Sequence, residues 1–257
     1  MPIITLTTDM GTSGYYVGSV KAAILSIYPE ATIVDITHHV KPFHVSSAAF
    51  IIRNVYHQFP KGTVHIASVD SLNSNNPRFL ALSADGHYFV GADNGLFSLA
   101  LSKQPDKVVE VTLPADAPSA TFPARDIFAA VACHLAKGAA LETVGADCTN
   151  YMRPTAWQPT HDANSITAVV VYIDEYGNCI CNLEESLFQY VGKGRNFVID
   201  IKRYVVENIS GTYSDGPPGE IVALFSSSGL LELAQNHGNL AELIGIKDGD
   251  MIKITFA

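Results

Sequence analysis

Within its first seventy residues the chain alternates three short apolar runs with two stretches of helical spacing, and no other feature constrains the fold as much. The first run, 2–7, is apolar and β-branched from Ile3 to Thr7 and reads as a buried strand. A polar turn containing Gly11 follows, and Val17, Val20, Ile24 and Ile27 then recur at helical spacing. Residues 32–36 form a second run. A connection through Pro42 leads to a helical pattern at Ala49, Ile52 and Tyr56. Gly62 introduces a third strand, 64–69, ending at Asp70. Strand–helix–strand–helix–strand predicts a parallel sheet with helices on its faces.

In such a sheet ligands sit just outside the carboxyl ends of the strands. Asp9 stands at that edge, where its carboxylate can accept hydrogen bonds from both hydroxyls of a ribose. Capping of the following helix is the commoner role for an aspartate in this position.

Further along, 71–77 reads as a surface loop, and short strands follow at 79–82 and 88–90 around an Asp85-Gly86 turn. One more strand is expected at 107–113, and a helix at 126–136 with Asp126 at its amino end. Prolines, asparagines and the single Trp157 break the periodicity between 145 and 165. This places one domain at 1–150, a linker at 151–164 and a second domain at 165–257. The second domain carries strand-like runs at 166–173, 179–182, 197–201, 204–209, 221–225 and 251–256. Their spacing points to an antiparallel barrel or sandwich.

With 257 residues, 47% of them hydrophobic, the chain can build a sizeable core. No apolar run reaches the ~18 residues that span a bilayer. The amino terminus lacks a signal-peptide pattern, so a cytoplasmic location is expected. A net charge of -9 argues against nucleic acid or an anionic membrane as partner. Cys133, Cys148, Cys179 and Cys181 lack zinc-knuckle or redox spacing, and buried free thiols are expected. His38, His39 and His44 have no interleaved carboxylate at ligand spacing. No metal site is expected there, only surface or loop hydrogen bonding. Glycine-rich phosphate loops and a nucleophile elbow are missing.

What remains is a series of polar residues at strand ends: Asp9, Thr12, Asp70, Arg78, Asp93-Asn94, Arg125-Asp126, Asp174 to Asn178 and Ser226 to Gly229. In this order they resemble the S-adenosylmethionine hydroxide adenosyltransferases, the family that also holds the fluorinase and chlorinase enzymes. The motifs carrying the likeness include Thr7-Thr8-Asp9-Met10-Gly11-Thr12, Val34-Asp35-Ile36-Thr37-His38, Lys41-Pro42-Phe43 and Asp93-Asn94-Gly95. Thr121-Phe122 with Arg125 to Phe128, Tyr172 to Asn178, and Ser226 to Glu232 complete them.

The resemblance implies an α/β amino-terminal domain with a mostly parallel sheet, a carboxy-terminal antiparallel β-barrel and a homotrimer with its site at the subunit interface. It implies that Asp9 holds the ribose hydroxyls and that Phe43 packs beside the sugar. Asp174 and Asn178 would hold the methionine and adenine ends, with Tyr176 stacking and Ser227 touching the methionine part. Thr12, Thr121 and Phe122 fall at further substrate-binding positions. The implied reaction is hydrolysis of S-adenosylmethionine to adenosine and methionine by water at C5′, without metal or cofactor. Asp70 and Arg78 match two members of the family's Asp–Arg–His set.

The third member is where the chain departs, because the family's histidine is Pro123 here. The interval from Asp70 to Arg78 is a residue longer than usual, and Gly14 stands where many members carry aspartate. All three departures lie toward the reacting end of the ligand. A non-catalytic or very slow S-adenosylmethionine- or adenosine-binding protein is therefore the alternative. A cytoplasmic α/β protein acting on another small metabolite is the generic one.

Overall fold

The computed structural model describes residues 3–113 and 121–257, so Pro2 of the first run lies outside the described residues. The chain forms two compact units, Met1–Thr155 and Ala156–Ala257, dividing inside the 151–164 segment.

In the first unit β1 (Ile3–Thr8), α1 (Tyr16–Ile27), β2 (Thr32–Thr37), α2 (Val45–Val55) and β3 (Val64–Ser68) follow the alternation of the sequence. A hairpin of β4 (Phe79–Ala84) and β5 (His87–Ala92) comes next, then α3 (Leu96–Ala100) and β6 (Lys107–Val111). The expected 126–136 helix begins as a π-helical turn, Ala124–Phe128, before α4 (Ala129–Ala136). The short β7 (Gly145–Asp147), not expected from the sequence, ends the sheet.

The strand order is β2-β1-β3-β5-β4-β6-β7. Pairings from β2 through β5 are parallel, and the remaining ones are antiparallel. Side-chain alternation splits the core across the sheet. Ile4, Leu6, Ile66 and Val90 pack with Val20, Ile24 and Phe128 on one face. Ala67, Leu80, Leu82 and Phe89 pack with Ala49, Ile52 and Leu96 on the other. Because β1 sends its crossovers to β2 on one side and β3 lies on the other, the topological switch falls between β1 and β3. Asp9 and Asp70 leave the sheet at those two strand ends.

The second unit holds β8 (Thr160–His161), β9 (Ser165–Ile173), β10 (Cys179–Glu184), α5 (Glu185–Gly192), β11 (Phe197–Ile201) and β12 (Tyr204–Val206). After them come β13 (Ile221–Phe225), β14 (Leu230–Gln235), α6 (Leu240–Ile244) and β15 (Met251–Phe256). The order β12-β11-β15-β9-β10-β14-β13 is antiparallel throughout. It curls into a nearly closed barrel, and the Ser210 N–H donates to the Ala223 carbonyl at 2.7 Å, linking the chain beyond β12 to β13. Period-2 burial fills the interior with Ile166, Ala168, Val170, Ile199, Ile201, Leu231, Leu233, Ile252 and Ile254. The helices α5 and α6 and strands β8 and β14 are additions to the sequence expectation, β8 falling inside the expected 151–164 linker.

Cys133, Cys179 and Cys181 are buried free thiols, as expected, but Cys148 is only half-buried. Burial pushes the Cys179 thiol up to about 12, with Asp174 and Asp248 adding to the effect. Such a thiol is inert at neutral pH. No helix among the described residues is long and apolar enough to cross a membrane.

Candidate functional site

Asp9 is the point at which three chain segments meet. Its Oδ2 accepts the Phe43 N–H at 3.0 Å and the Asp70 N–H at 3.4 Å. One carboxylate thereby ties the end of β1 to the β2–α2 connection and to the end of β3. Both donors sit in the left-handed region, Phe43 at φ 65° and Asp70 at φ 46°. A bulky non-glycine residue there is an outlier, and such strain gathers at functional sites. Phe43 is 74% exposed, so its side chain is not spent on the core.

Asp70 is braced from behind by Asn94. The Asn94 amide donates to the carbonyls of Val69 at 2.8 Å and Asp70 at 3.3 Å, while its Oδ1 accepts the Leu96 N–H. Asn94 is buried, and its bracing role was visible in the sequence only as a polar pair at a strand-to-helix turn. Thr12 is exposed, with Oγ1 3.3 Å from His39 Nε2.

Arg78 lies elsewhere in its contacts. Its Nε and terminal nitrogen bind Glu110 Oε2 at 3.0 and 2.9 Å, and another nitrogen stands 3.5 Å from Asp93 Oδ2. It also donates to the Asn150 carbonyl at 2.8 Å and lies 3.1 Å from Cys148 Sγ. Burial opposes its charge, but Glu110 and Asp93 outweigh that and raise its pKa further. Among the described residues none of these hydrogen bonds or ion pairs goes to Asp70. Two acids, Glu110 on β6 and Asp93 after β5, hold the guanidinium instead.

Phe122 is buried beside the π-helical turn, edge-on to Tyr16 with ring centroids 5.4 Å apart, and the Arg125 guanidinium lies 5.0 Å over its face. It shares an apolar cluster with Met10, the neighbour of Asp9. Thr121 is exposed. Pro123 is buried and opens the turn, where its fixed φ and missing N–H suit the first helical residues. It presents no group that could exchange a proton.

In the second unit, Asp174 organises the turn between β9 and β10. Its Oδ1 accepts the N–H groups of Tyr176 and Asn178 at 2.9 and 2.8 Å, and its Oδ2 accepts the Asn178 amide at 3.0 Å. Gly177 is required there: at φ 79° an added Cβ would meet Asn239 Oδ1 at 1.9 Å. The Tyr176 ring is 77% exposed at the tip. Ser227 lies on the exposed tip of the β13–β14 turn, in which Ser226 and Ser228 share a 2.9 Å hydroxyl contact. Register puts Cys179 opposite Leu233 and Glu184 opposite Leu230. The Asp174 and Ser227 turns thus flank opposite ends of β10.

Among the described residues no cluster of histidine, cysteine and acidic side chains is arranged to hold a metal. His38, expected in surface or loop hydrogen bonding, is a buried loop residue, 4% exposed, hydrogen-bonded to Thr8 at 2.9 Å, whereas His39 is exposed.

Two carboxylates, Asp9 and Asp70, at the switch point of an α/β unit and polar turns on an antiparallel barrel define the class: a two-unit α/β-plus-barrel protein. Two family models match it, the SAM hydroxide adenosyltransferase N-terminal domain over residues 4–145 and the C-terminal domain over 168–253. The chain belongs to this family. An (R)-S-adenosyl-L-methionine hydrolase of Salinispora tropica is 31% identical, covering 99% of this chain and 98% of its own. A fluorinase of Actinopolyspora mzabensis is 27% identical over 99% of this chain and 97% of its own. A crystal structure of an uncharacterized conserved protein from Thermotoga maritima superposes with a TM-score of 0.88 at 30% identity, covering 99% of this chain and all of that one.

Proposed function

We propose that this protein hydrolyses S-adenosylmethionine to adenosine and methionine by attack of water at ribose C5′. The observation carrying this reading is the Asp9 carboxylate, anchored at the switch point by the N–H groups of Phe43 and Asp70. Both of those hydrogen bonds fall on Oδ2, which leaves Oδ1 available to ribose hydroxyls. Phe43 would pack beside the sugar and Asp70 would face the reacting carbon.

The chemistry asks little of the protein. As the water oxygen bonds to C5′, the C5′–S bond breaks and its electron pair returns to sulfur, turning the sulfonium into the neutral thioether of methionine. No group has to protonate the leaving atom. The water must be held in line and must lose a proton, which Asp70 accepts or passes to solvent. Arg78 would act from a distance, through the Asp93–Asn94 turn that braces Asp70, and not as a direct partner. No cofactor is called on. A homotrimer in which the Asp174, Tyr176, Asn178 and Ser227 turns of one subunit cover the crevice of the next would complete an extended site. The names of the hydrolase relatives support the substrate and the reaction.

A second reading is favoured by Pro123. With the family histidine gone and a buried proline opening the π-helical turn, a proton acceptor is missing, and losing one general base costs ~100- to 10,000-fold in rate. The protein would then bind S-adenosylmethionine and turn it over slowly or not at all.

Overnight incubation with S-adenosylmethionine, with products separated by chromatography and Asp70→Asn as control, decides between them. Adenosine and methionine from the wild type alone support the hydrolase. Intact substrate despite binding measured by calorimetry supports the binding protein.

A further inference from the structure

The turn that presents Asp9 is stitched from one side by a histidine that the reaction does not use. His38 is 4% exposed, and its Nδ1 lies 2.9 Å from the Thr8 hydroxyl, one residue before Asp9. The His38 carbonyl accepts the Gly11 N–H at 2.7 Å, and the Val40 N–H donates to the Thr8 carbonyl at 3.3 Å. The two segments that end in Asp9 and Phe43 are therefore joined at His38 before they meet at the Asp9 carboxylate.

The network continues outward. His38 Nε2 stands 3.2 Å from Asp35 Oδ1, an ion-pair distance without a well-aligned hydrogen bond, and Lys21 Nζ donates to Asp35 Oδ2 at 2.6 Å. Burial works against the Asp35 charge, but Lys21 and then His38 more than offset it, so the carboxyl stays ionised below its ordinary range. An anion beside Nε2 favours the proton on that nitrogen and leaves Nδ1 as the acceptor. The Thr8 hydroxyl then donates to Nδ1, and its lone pair is turned toward the Met10 N–H 3.4 Å away. With that tautomer one polarity runs from the surface to the Asp9 turn: ammonium, carboxylate, imidazole, hydroxyl, backbone amide.

We propose that His38 is a positioning residue for the ribose-binding carboxylate. Through Thr8, His38 sets the direction in which Asp9 leaves β1, and Asp35 sets the tautomer of His38 that can do so. The inference rests on Asp9 being the ribose anchor and deepens that reading. Losing a hydrogen bond typically costs about 0.5 to 1.5 kcal/mol, roughly 3- to 10-fold, so a hydrogen bond one residue away from Asp9 has leverage on binding.

The discriminating quantity is the preference for adenosine over 2′-deoxyadenosine, measured by calorimetry, because general loss of stability does not alter that ratio. Thr8→Val and His38→Leu should reduce the wild-type preference by roughly 3- to 10-fold. Thr8→Ser restores the hydroxyl and should restore the ratio. Asp35→Asn, at an exposed position where folding is not at risk, should reduce it about 3-fold, the share of one weak polar contact. Folded Thr8→Val and His38→Leu proteins with the wild-type ratio overturn the proposal. If those two fail to fold, an unchanged ratio in Asp35→Asn overturns it instead. A wild type that binds both nucleosides equally overturns the ribose anchor and this inference together. A wild type that prefers adenosine yet never cleaves S-adenosylmethionine overturns the hydrolase reading alone, and His38 is still judged by the ratio.

Discussion

The Phe43 N–H donates to Asp9 Oδ2 at 3.0 Å from a backbone held at φ 65°, so the carboxylate that would grip a ribose also holds an aromatic in a conformation it would not choose. For an L-residue the left-handed region costs about 1 to 2 kcal/mol, and this cost is tolerated where the ring contributes nothing to the core. Phe43 as a whole is three-quarters exposed.

Phe43→Gly separates these roles. Glycine relieves the strained φ but adds freedom to the unfolded chain at about 0.5 to 1 kcal/mol, so the two effects nearly cancel. The melting temperature should stay within a few degrees of wild type, while adenosine affinity falls about 10-fold with the loss of the aromatic contact. A large drop in melting temperature would show that the ring is structural.

Arg78 separates a strap from a catalyst. Its guanidinium joins Glu110 and Asp93 to the Asn150 carbonyl, and the Asp93 carboxylate also accepts the Met152 N–H at 2.7 Å. These bonds fasten 148–152 to the sheet. Arg78→Ala should lower stability by about 1 to 2 kcal/mol and open 148–152 to proteolysis. The shape of the pH–rate profile should not change. A shifted profile in a protein of wild-type stability would instead place Arg78 on Asp70.

How much of this was legible varies with the range of the interaction. The β1-to-β3 alternation is written in local periodicity, so the sheet and the exit points of Asp9 and Asp70 could be read directly. Most barrel strands were legible for the same reason, in the alternation of Ile166, Ala168 and Val170 or of Ile252 and Ile254, but β14 was not. The helix α5 was not, because Leu187, Phe188 and Val191 give too few turns to stand out beside a strand. Pairings across many residues were the other loss. Nothing local says that Arg78 meets Glu110 thirty-two residues on, or that His38 reaches back thirty residues to Thr8. Both depend on which strands lie side by side, and that is set by the whole sheet.

The buried histidine pair makes the first unit sensitive to acid. Thr5 and His65 are opposite one another on β1 and β3, with Thr5 Oγ1 2.8 Å from His65 Nδ1, and His65 Nε2 lies 3.4 Å from His87 Nδ1. Tyr56 and Phe89 wall the pair in. Burial, then repulsion from His87, pushes the His65 pKa down to about 3, and burial lowers His87 as well. The folded state therefore keeps His65 neutral where the unfolded chain, titrating near 6.5, takes up a proton. Between those two values the unfolded state binds more protons, so stability rises with pH in that window and is lost as pH falls from about 6.5 toward 3. Above 6.5 the contribution is complete. Thermal melts of the wild type should drop steadily from pH 7 to pH 4. In His65→Gln, which cannot take up a proton, the slope over that window should be visibly shallower whatever happens to stability at pH 7. An identical slope in the two proteins would move the acid sensitivity to other groups and leave the pair a matter of packing alone.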